Sequence, residues 1–442
     1  MKLFGTDGIR GLVNHFPIEA VSLVRLAYAV ATHFFAGQKL KCIIGKDTRI
    51  SGYMIESALV SGLLAKNVDV IFLGPVPSAA VAMLTKALKA DFGIMISASH
   101  NPYYDNGIKI FEASGEKLTN QEQEKIEAIF HSKQFIEPQD IGKATRLIDA
   151  SGRYIEFVKR TLKQPLDLAG IKIVLDCANG SGYKMAPRIL EELGANVITI
   201  AHEPDGYNIN EKCGATSLKM LSQAVVHYEA DIGLALDGDA DRLAVIDEKG
   251  FEIKGEFIFA CLAKFLATFE PIEKCVVTSV TNPGLIRYLT DQKIQVFVSD
   301  VGDREVLALM KKEGCLLGGE PSGHYILSHC LTSSDGMITA LQVLSYLQLN
   351  QKKASFLKTI FPLMNSFEKK ILLPSKDPRK DFTTHEINHY LEQTLSLKNP
   401  YLVRKSGTES ALRIHMWAVN ENFVEETNTL VEAVERFLTS QR

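Results

Sequence analysis

DFGIMISASHNPYYDNGIKIF, residues 91–111, joins a short apolar run to a polar loop. The run FGIMI has the length and composition of a buried strand, and it stops abruptly at Ser97. In parallel α/β sheets, ligands bind beyond the carboxyl ends of the strands, so we expect Ser99 at the rim of a site. Pro102 cannot continue a helix and favours an extended Asn101, which places the serine in a rigid turn. The alternative is an ordinary solvated loop, because Ser, Asn and Pro are common in turns.

Composition and charge indicate an ordinary globular protein. The chain has 442 residues, of which 46% are hydrophobic and 23% are charged, so disordered, collagen-like and coiled-coil classes are disfavoured. The formal net charge of -3 gives no basic excess for a nucleic-acid partner. Arg25 and His33 interrupt the longest apolar stretch, so no membrane segment is expected. The seven cysteines form no CxxC pair, which favours buried thiols in a reducing cytoplasm.

Alternating strand and helix patterns predict an α/β fold with several domains. Apolar runs such as KCIIG, DVIFLG and FGIMI alternate with helical patterns after an initial loop, FGTDGIRG. This alternation predicts a mostly parallel sheet with flanking helices, and it restarts twice along the chain. We therefore expect three similar α/β domains and a smaller C-terminal α+β domain, with boundaries at 1–150, 151–252, 253–365 and 366–442.

Three carboxylates follow the apolar run DIGLAL at alternate positions, Asp237, Asp239 and Asp241. A few hard oxygen ligands suit Mg²⁺, whose coordination is completed by phosphate oxygens and water. One alternative is a solvated turn. Another is an EF-hand calcium loop, in which Glu248 would stand at the twelfth position, but Arg242 replaces the glycine of the sixth. The cluster predicts a magnesium site.

Two cationic side chains are candidates to act beside Ser99. Lys109 follows the triplet DNG at 105–107, a turn signal that would fold the next strand back beside the serine and let the lysine transfer a proton. The alternative is a lysine on a surface strand, because lysine is rarely buried. Arg10 lies among glycines, which permit close backbone approach, and is expected to pair with an anionic group near Ser99.

Two later loops have the composition of ligand sites. The first combines flexible glycines with an acceptor, a hydroxyl and an imidazole, which are groups that bind sugar hydroxyls: Glu320, Ser322 and His324. The alternative for the histidine is a structural role. The second offers two cations, two hydroxyls and a glycine-opened turn, as a phosphate nest would: Arg404, Ser406, Gly407, Thr408 and Arg413. Together with the serine and the carboxylates, these loops indicate phosphoryl transfer on a sugar phosphate.

The motifs FGTDGIRG, ISASHNPYYDNGIK, LDGDADR, GEPSGH and RKSGTESALRI, in this order, resemble those of the α-D-phosphohexomutase superfamily across essentially the whole chain. Within it, the FGTDGIRG start, YYDNGIK, NINEKCGAT and VGDREV resemble the family of bacterial phosphoglucosamine mutases. The resemblance implies four domains around a central cleft and interconversion of glucosamine 6-phosphate and glucosamine 1-phosphate, for UDP-N-acetylglucosamine and peptidoglycan synthesis. A phosphomannomutase or phosphoglucomutase on the same scaffold is the alternative, because Pro321 stands where aminosugar members carry Gln.

The same resemblance implies roles for the candidate residues. Ser99 would carry a phosphoryl group that passes to the substrate, giving a sugar 1,6-bisphosphate that turns around and returns its other phosphate. One Mg²⁺ per chain would bind the Ser99 phosphate and the three aspartates. The other implied catalytic residues are Lys109, as general acid or base, with Arg10, Arg242 and His100 beside the reacting groups. The resemblance also suggests a homodimer and a fourth domain that closes over the intermediate.

Two other classes of protein are weighed against a mutase. A metal-dependent phosphatase that uses Ser99 as a transient nucleophile would release phosphate. A sugar-phosphate-binding protein would retain its ligand without turnover. The presence of a serine, metal ligands, a sugar loop and a phosphate clamp in one chain disfavours both.

Overall fold

The computed structural model describes residues 3–5, 7–138, 140–373, 383–405, 411–418 and 423–440. Across these ranges, four β-sheets follow one another along the chain, each with its own helices. None of the helices within them has the length and apolar character needed to cross a membrane. The architecture agrees with the expected series of three α/β domains and a smaller α+β domain.

The first sheet contains the strand that leads to Ser99. Its strands, in chain order, are β1 (Phe4–Gly5), β2 (Gly8–Leu12), β3 (Leu40–Lys46), β4 (Val68–Pro75), β5 (Phe92–Ile96), β6 (Asp105–Glu112) and β7 (Ala144–Arg146). Its helices are α1 (Ala20–Phe34), α2 (Gly52–Ala65), α3 (Ser78–Ala87) and α4 (Asn120–Ser132). The spatial order is β1-β2-β6-β5-β3-β4-β7. Strands β5, β3, β4 and β7 run parallel, whereas β6, β2 and β1 add antiparallel pairs, so the sheet is mixed.

Two sequence-based predictions for this domain are wrong. The segment FGTDGIRG, expected as a loop, contributes the antiparallel strands β1 and β2 at the edge of the sheet. The triplet DNG, expected as a turn, opens β6, where residues 105–107 pair with β2. The chain instead reverses between Ala98 and Asp105, through hydrogen bonds from Asn101 N to Ala98 O (3.1 Å) and from Asp105 N to Pro102 O (3.2 Å). Pairing with β2 therefore overrides the local turn preference.

The second sheet carries the three aspartates at one strand end. Its strands are β8 (Lys172–Asp176), β9 (Asn196–Ile200), β10 (Ile232–Leu236), β11 (Leu243–Asp247) and β12 (Glu252–Ile253), in the spatial order β12-β11-β10-β8-β9. The helices are α5 (Ala150–Arg160), α6 (Met185–Glu192) and α7 (Lys219–His227). Strand β12 crosses the domain boundary predicted at 252, and the four domain ranges stay predictions.

The third sheet supplies the candidate sugar loop between its last two strands. Its strands are β13 (Lys274–Thr278), β14 (Gln295–Ser299), β15 (Leu317–Gly319) and β16 (Tyr325–Leu327), in the order β14-β13-β15-β16. The accompanying helices are α8 (Gly255–Ala267), α9 (Pro283–Asp291), α10 (Asp303–Glu313), α11 (Gly336–Leu349) and a 3₁₀ helix (Ala354–Thr359). Helix α9 begins at Pro283, and the side chain of Asn282 caps it by accepting a hydrogen bond from Gly284 N.

The C-terminal sheet is antiparallel, with β19 (Ala411–Trp417) between β17 (Ser366–Leu372) and β18 (Tyr401–Lys405). Two helices cover it, α12 (Thr384–Thr394) and α13 (Phe423–Ser440). Helix α12 begins with a capping box, in which Thr383 and Glu386 satisfy each other's backbone amides. The order of strand, helix, two strands and helix agrees with the expected α+β module.

The apolar cores show how the sheets are joined. One cluster of buried side chains continues from the first domain through the second into the third, and includes Val81, Tyr154, Leu236, Phe259 and Leu341. The C-terminal domain has a separate cluster built on α12, α13 and its own sheet. A shared core holds the strand ends of the first three domains together, which fixes the positions of the loops that follow them.

Candidate active site

Ser99 lies in the turn between β5 and β6 and is 1% exposed. Its backbone is left-handed, with φ 51°, and its Oγ donates a hydrogen bond to Asp237 Oδ2 at 2.6 Å. Gly238 packs against the carbonyl oxygen of Ser99. A side chain at this position would clash, because its Cβ would stand 2.5 Å from Ser99 O. The serine turn of the first domain and the aspartate loop of the second are therefore in direct contact.

Gly238→Ala is expected to lower the kcat of the phosphoryl transfer expected from the sequence by about 100-fold. The added methyl group would push Ser99 away from Asp237. Gly182→Ala is a suitable control, because the nearest atom to its Cβ would be a movable side-chain carbon, Leu236 Cδ1 at 3.0 Å, instead of a backbone carbonyl. Steady-state kinetics of both purified variants measure the effect. Equal kcat values for the two variants would contradict it.

The aspartate loop gathers three buried carboxylates at the end of β10. One oxygen from each of Asp237, Asp239 and Asp241 lies within 4.8 Å of the others. Lys109 Nζ lies 2.7 Å from Asp239 Oδ2 and 2.9 Å from Asp241 Oδ2, and Ser78 Oγ donates to Asp239 Oδ2 at 2.5 Å. Among the described residues, the buried Asp239 Oδ1 has no hydrogen-bond partner. A compact set of carboxylate oxygens with one unused acceptor fits a divalent cation.

The carboxyl groups of this cluster differ in their affinity for protons. Burial, together with the charges of Asp241 and Asp239, raises the pKa of Asp237 to about 7. Burial also acts to raise the pKa of Asp241, but Lys109 and His324 hold it well below its usual value. The pKa of Lys109 is raised well above its ordinary range by Asp239 and Asp241, despite burial. Lys109 is thus a charged, 1% exposed side chain, and the alternative of a surface lysine is wrong.

Asp7 joins the cations of the first domain and was not predicted. Its carboxylate lies 2.5 Å from Arg10 Nη2, 2.6 Å from Lys117 Nζ and 3.2 Å from Lys109 Nζ. Burial would raise the pKa of Asp7, but these three cations hold it well below its usual value. Lys117 also reaches Asp303 of the third domain at 2.6 Å. The charge of Asp7 within FGTDGIRG was the one sequence signal for this contact.

The loop between β15 and β16 is bonded to the aspartate cluster. His324 Nε2 lies 3.0 Å from Asp241 Oδ1, and His324 Nδ1 lies 3.1 Å from Glu320 Oε2. Burial and Arg242 lower the pKa of His324, but Asp241 and Glu320 raise it to about 10. Glu320 Oε1 accepts a hydrogen bond from Gly302 N at 2.7 Å. Burial would raise the pKa of Glu320, but His324 lowers it to about 2.

These contacts close into a circle through three domains, which we call the ion-pair ring. Its members, in order, are Lys109, Asp7, Lys117, Asp303, the Gly302 amide, Glu320, His324 and Asp241. Within the sugar loop, Ser322 is the exposed member, and its Oγ donates to Glu320 Oε2 at 3.1 Å. Glu320 and His324 therefore have fixed orientations before any ligand binds.

The remaining predicted catalytic residues surround Ser99. His100 Nδ1 lies 3.4 Å from Ser99 Oγ. Burial, Arg242 and Arg10 lower the pKa of His100 to about 3, so its imidazole is neutral at pH 7. Arg242 Nε lies 3.7 Å from Asp237 Oδ2, and Arg10 Nη1 donates to Asn101 Oδ1 at 3.4 Å.

The C-terminal domain presents two arginines on neighbouring strands. Arg404 of β18 is directly opposite Arg413 of β19. Burial and the charge of Arg413 lower the pKa of Arg404, and Arg404 Nε has no hydrogen-bond partner in the part of the chain that is described. Adjacent guanidinium groups suit a dianion. The other predicted phosphate-loop residues, Ser406, Gly407 and Thr408, lie outside the described residues.

The calcium-loop alternative is wrong. Glu248, which would have been its twelfth-position ligand, accepts hydrogen bonds from Ser355 N at 3.0 Å and Ser355 Oγ at 2.6 Å. The three aspartates follow strand β10 instead of the helix that precedes an EF-hand loop, and residues 243–247 form strand β11. Glu248 therefore fastens the 3₁₀ helix to the second domain.

Family descriptions match most of the chain. Residues 1–137, 152–250 and 254–363 match, respectively, "Phosphoglucomutase/phosphomannomutase, alpha/beta/alpha domain" I, II and III. Two curated relatives are both phosphoglucosamine mutases. That of Aliarcobacter butzleri is 45% identical and covers 96% of this chain and 97% of its own. That of Zymomonas mobilis is 43% identical and covers 98% of this chain and 99% of its own.

A solved structure shares the fold. The crystal structure of a phosphoglucomutase/phosphomannomutase family protein from Burkholderia thailandensis superposes with a TM-score of 0.83. The two sequences are 20% identical, and the match covers 98% of this chain and 97% of the other. The likeness shows that the two chains share a fold over nearly their whole lengths.

Proposed function

The chain belongs to the phosphoglucomutase/phosphomannomutase family, the α-D-phosphohexomutases, and on that basis we propose that it interconverts glucosamine 6-phosphate and glucosamine 1-phosphate. The observation that supports this choice of substrate is the 45% identity, over nearly the full length, to a phosphoglucosamine mutase. The product would serve UDP-N-acetylglucosamine and peptidoglycan synthesis. The buried serine 2.6 Å from an aspartate cluster supports the chemistry of phosphoryl transfer.

In the proposed cycle, Ser99 carries the phosphoryl group and donates it to a sugar hydroxyl. The resulting sugar 1,6-bisphosphate reorients and returns its other phosphate to Ser99 Oγ. His100 Nδ1 lies 3.4 Å from Ser99 Oγ, so it is within reach of the proton of the Ser99 hydroxyl. Lys109 is held charged, so it stabilises negative charge on the transferring group, with Arg10 and Arg242 nearby. The sugar hydroxyl loses its proton as it takes the phosphoryl group, and Ser99 Oγ gains one as its bond to phosphorus breaks; Lys109 is the proposed general acid or base for this exchange.

A metal ion fits the aspartate cluster, and we propose Mg²⁺ held by Asp237, Asp239, Asp241 and an oxygen of phosphorylated Ser99. When bound, Mg²⁺ neutralises charge that develops on the phosphoryl oxygens. The unpartnered Asp239 Oδ1 supports this assignment within the described residues. Lys109 pairs with two of the same carboxylates and so also offsets their negative charge.

The sugar and the second phosphate are assigned to the later loops. Glu320, Ser322 and His324 are proposed to bind sugar hydroxyls, with the exposed Ser322 as the first contact. Arg404, Ser406, Gly407, Thr408 and Arg413 are proposed to hold the phosphate that is not being transferred. The opposed arginines support this, because an anion would relieve their mutual repulsion.

The decisive measurement is kcat/KM of the Ser99-phosphorylated protein with Mg²⁺ for glucosamine 6-phosphate, glucose 6-phosphate and mannose 6-phosphate. We expect the aminosugar to lead by about 100-fold or more. A lead for glucose or mannose would refute the substrate and favour a phosphoglucomutase or phosphomannomutase. Net phosphate release would indicate a phosphatase, and binding without turnover a sugar-phosphate-binding protein.

A matched variant tests Pro321, which stands where aminosugar members are expected to carry Gln. Pro321→Gln installs the side chain expected in aminosugar members next to Glu320. If the natural chain prefers the aminosugar, the same order of substrates in Pro321→Gln shows that the proline is tolerated. A reversed order between the two proteins would make position 321 the determinant.

We also propose a cytoplasmic location and a homodimer. All seven cysteines are free, and six of them are buried, which suits a reducing compartment. The dimer rests on the resemblance to the family.

A further inference from the structure

Arg49 is a completely buried arginine whose guanidinium is used in full. It lies after β3, and its side chain is 0% exposed. Its Nε donates to Asp47 Oδ2 at 2.8 Å. Its two Nη atoms donate to main-chain carbonyls of the serine turn, those of Ser99 (2.8 Å), Asn101 (2.9 Å), Asp105 (3.2 Å) and Pro102. One planar group therefore spans the whole turn.

Asn210 of the second domain reaches two of the same carbonyls. Its Nδ2 lies 2.9 Å from Ser99 O and 3.1 Å from Asn101 O. The backbone amide of Asn210 donates to Ala178 O at 2.9 Å, which anchors the asparagine to the loop after β8. Arg49 and Asn210, which we call the carbonyl clamp, hold the serine turn from two domains.

The clamp acts on a backbone conformation that serine rarely adopts. Ser99 has φ 51°, in the left-handed region where only glycine is unstrained. Such a residue persists where its surroundings over-determine it. The other end of the same residue is also held, because Ser99 N donates to Ser97 Oγ at 2.9 Å and Ser97 Oγ donates to Asp47 Oδ2 at 2.6 Å. Asp47 thus links the amide side of Ser99 to Arg49 on the carbonyl side.

We propose that Arg49 and Asn210 are positioning residues that hold Ser99 in the left-handed conformation and so aim its Oγ at Asp237. The proposal rests on the proposed function, because it assumes that Ser99 Oγ is the atom that exchanges the phosphoryl group. It adds that contact between the first and second domains completes the nucleophile. Neither residue reaches Ser99 Oγ, so both act through the main chain.

Asn210→Ala is the main test. It removes two hydrogen bonds to the turn and leaves Asp47 paired with Arg49. We expect kcat to fall by about 10- to 100-fold with KM within about twofold, because the nucleophile is misplaced while the sugar and phosphate contacts are elsewhere. A merely structural role would lower the melting temperature without this split between kcat and KM.

Asn208→Ala is the matched control. Asn208 lies in the same loop, and its side chain bonds Glu203 O at 2.9 Å and Asp205 N at 3.1 Å, away from Ser99. We expect its kcat to stay within about twofold of the natural protein. Arg49→Lys is a second probe, which keeps a cation for Asp47 but loses the planar fork. Provided that it folds, its kcat should fall at least as far as that of Asn210→Ala.

Hydrogen exchange separates this proposal from the proposed function. Amides of residues 97–105 should exchange faster in Asn210→Ala than in Asn208→Ala. Unchanged exchange together with an unchanged kcat in Asn210→Ala would overturn the clamp. If the natural protein turns over no sugar phosphate, the proposed function fails, and the exchange comparison still decides whether Asn210 holds the turn.

Discussion

Ser99→Ala is expected to lower mutase kcat by at least about 10⁴-fold, the loss that follows removal of a nucleophile. The side chain is 1% exposed and its Oγ is 2.6 Å from Asp237 Oδ2. We therefore expect that no water molecule can replace the serine as the group that accepts the phosphoryl group. The fold should survive, because the left-handed turn is held through main-chain groups instead of through Oγ. The phosphoryl group on the protein should also be absent.

Two measurements check the serine prediction. Steady-state assay of 1-phosphate formation gives kcat, and intact-mass spectrometry after incubation with sugar bisphosphate detects a phosphoryl group. Ser57→Ala is the control, because Ser57 is exposed on α2 and its Oγ donates to Tyr53 O of the same helix at 2.8 Å. Retention of a tenth of the activity in Ser99→Ala, or a phosphoryl group still on the protein, would place the nucleophile elsewhere.

Lys109→Met is expected to reduce the free energy of unfolding by about 3–5 kcal/mol in metal-free buffer, the cost of breaking a buried ion pair. Lys109 lies within 3.2 Å of carboxylate oxygens from Asp7, Asp239 and Asp241. Methionine fills a similar volume but leaves those carboxylates without their shared cation. Chemical denaturation monitored by fluorescence or circular dichroism measures the loss.

Added Mg²⁺ should restore part of this stability, because the ion would neutralise the same carboxylates. Lys117→Met is the matched control. Lys117, whose side chain is 12% exposed, also lies between two carboxylates, those of Asp7 and Asp303, and within the described residues no hydrogen bond or ion pair joins it to the aspartate cluster. We expect Lys117→Met to lose stability without a comparable gain from Mg²⁺. An equal response of the two variants to Mg²⁺ would argue against a metal at the cluster.

The buried strands were predictable from the sequence. FGIMI is a strand with the predicted bounds, and the runs KCIIG, DVIFLG and DIGLAL match β3, β4 and β10 to within one residue at each end. Each is a short apolar or β-branched run between turn residues, so burial and local preference agree. The loops after β5 and β10 were predictable as site candidates for the same reason, because a buried strand that ends in polar residues delivers them to a sheet edge.

Elements with little apolar surface were missed. Helix α4 buries only Gln123, Ile126 and Phe130, and helix α7 buries only Leu221 and Val225. Their polar faces give weak helical periodicity. Thr119, whose side chain accepts a hydrogen bond from Glu122 N, was a readable start signal for α4. Strands β1 and β2 were missed because their glycines favour a loop, whereas in the structure β2 is stabilised by pairing with β6, and β1 by pairing with β2.

The partners of the site residues depend on contacts that sequence does not display. Arg49 is 50 residues from Ser99, and Asn210 is 111 residues from it. Asp303 meets Lys117 across 186 residues. A charged residue in a motif indicates that a partner is needed, but the choice of partner is made by the packing of three domains. The types of side chain at the site were therefore predictable, whereas the connections between them were not.

The ion-pair ring has a consequence for exchanging parts between related proteins. Going around it, the first domain contributes Lys109, Asp7 and Lys117, the third contributes Asp303, Glu320 and His324, and the second contributes Asp241. A chimera that takes one domain from a homologue keeps only part of the ion-pair ring of this chain. Its charges match only when the donor carries the same signs at the same places. Domain borders alone are thus insufficient for recombination, and the ring residues would have to be transplanted as a set.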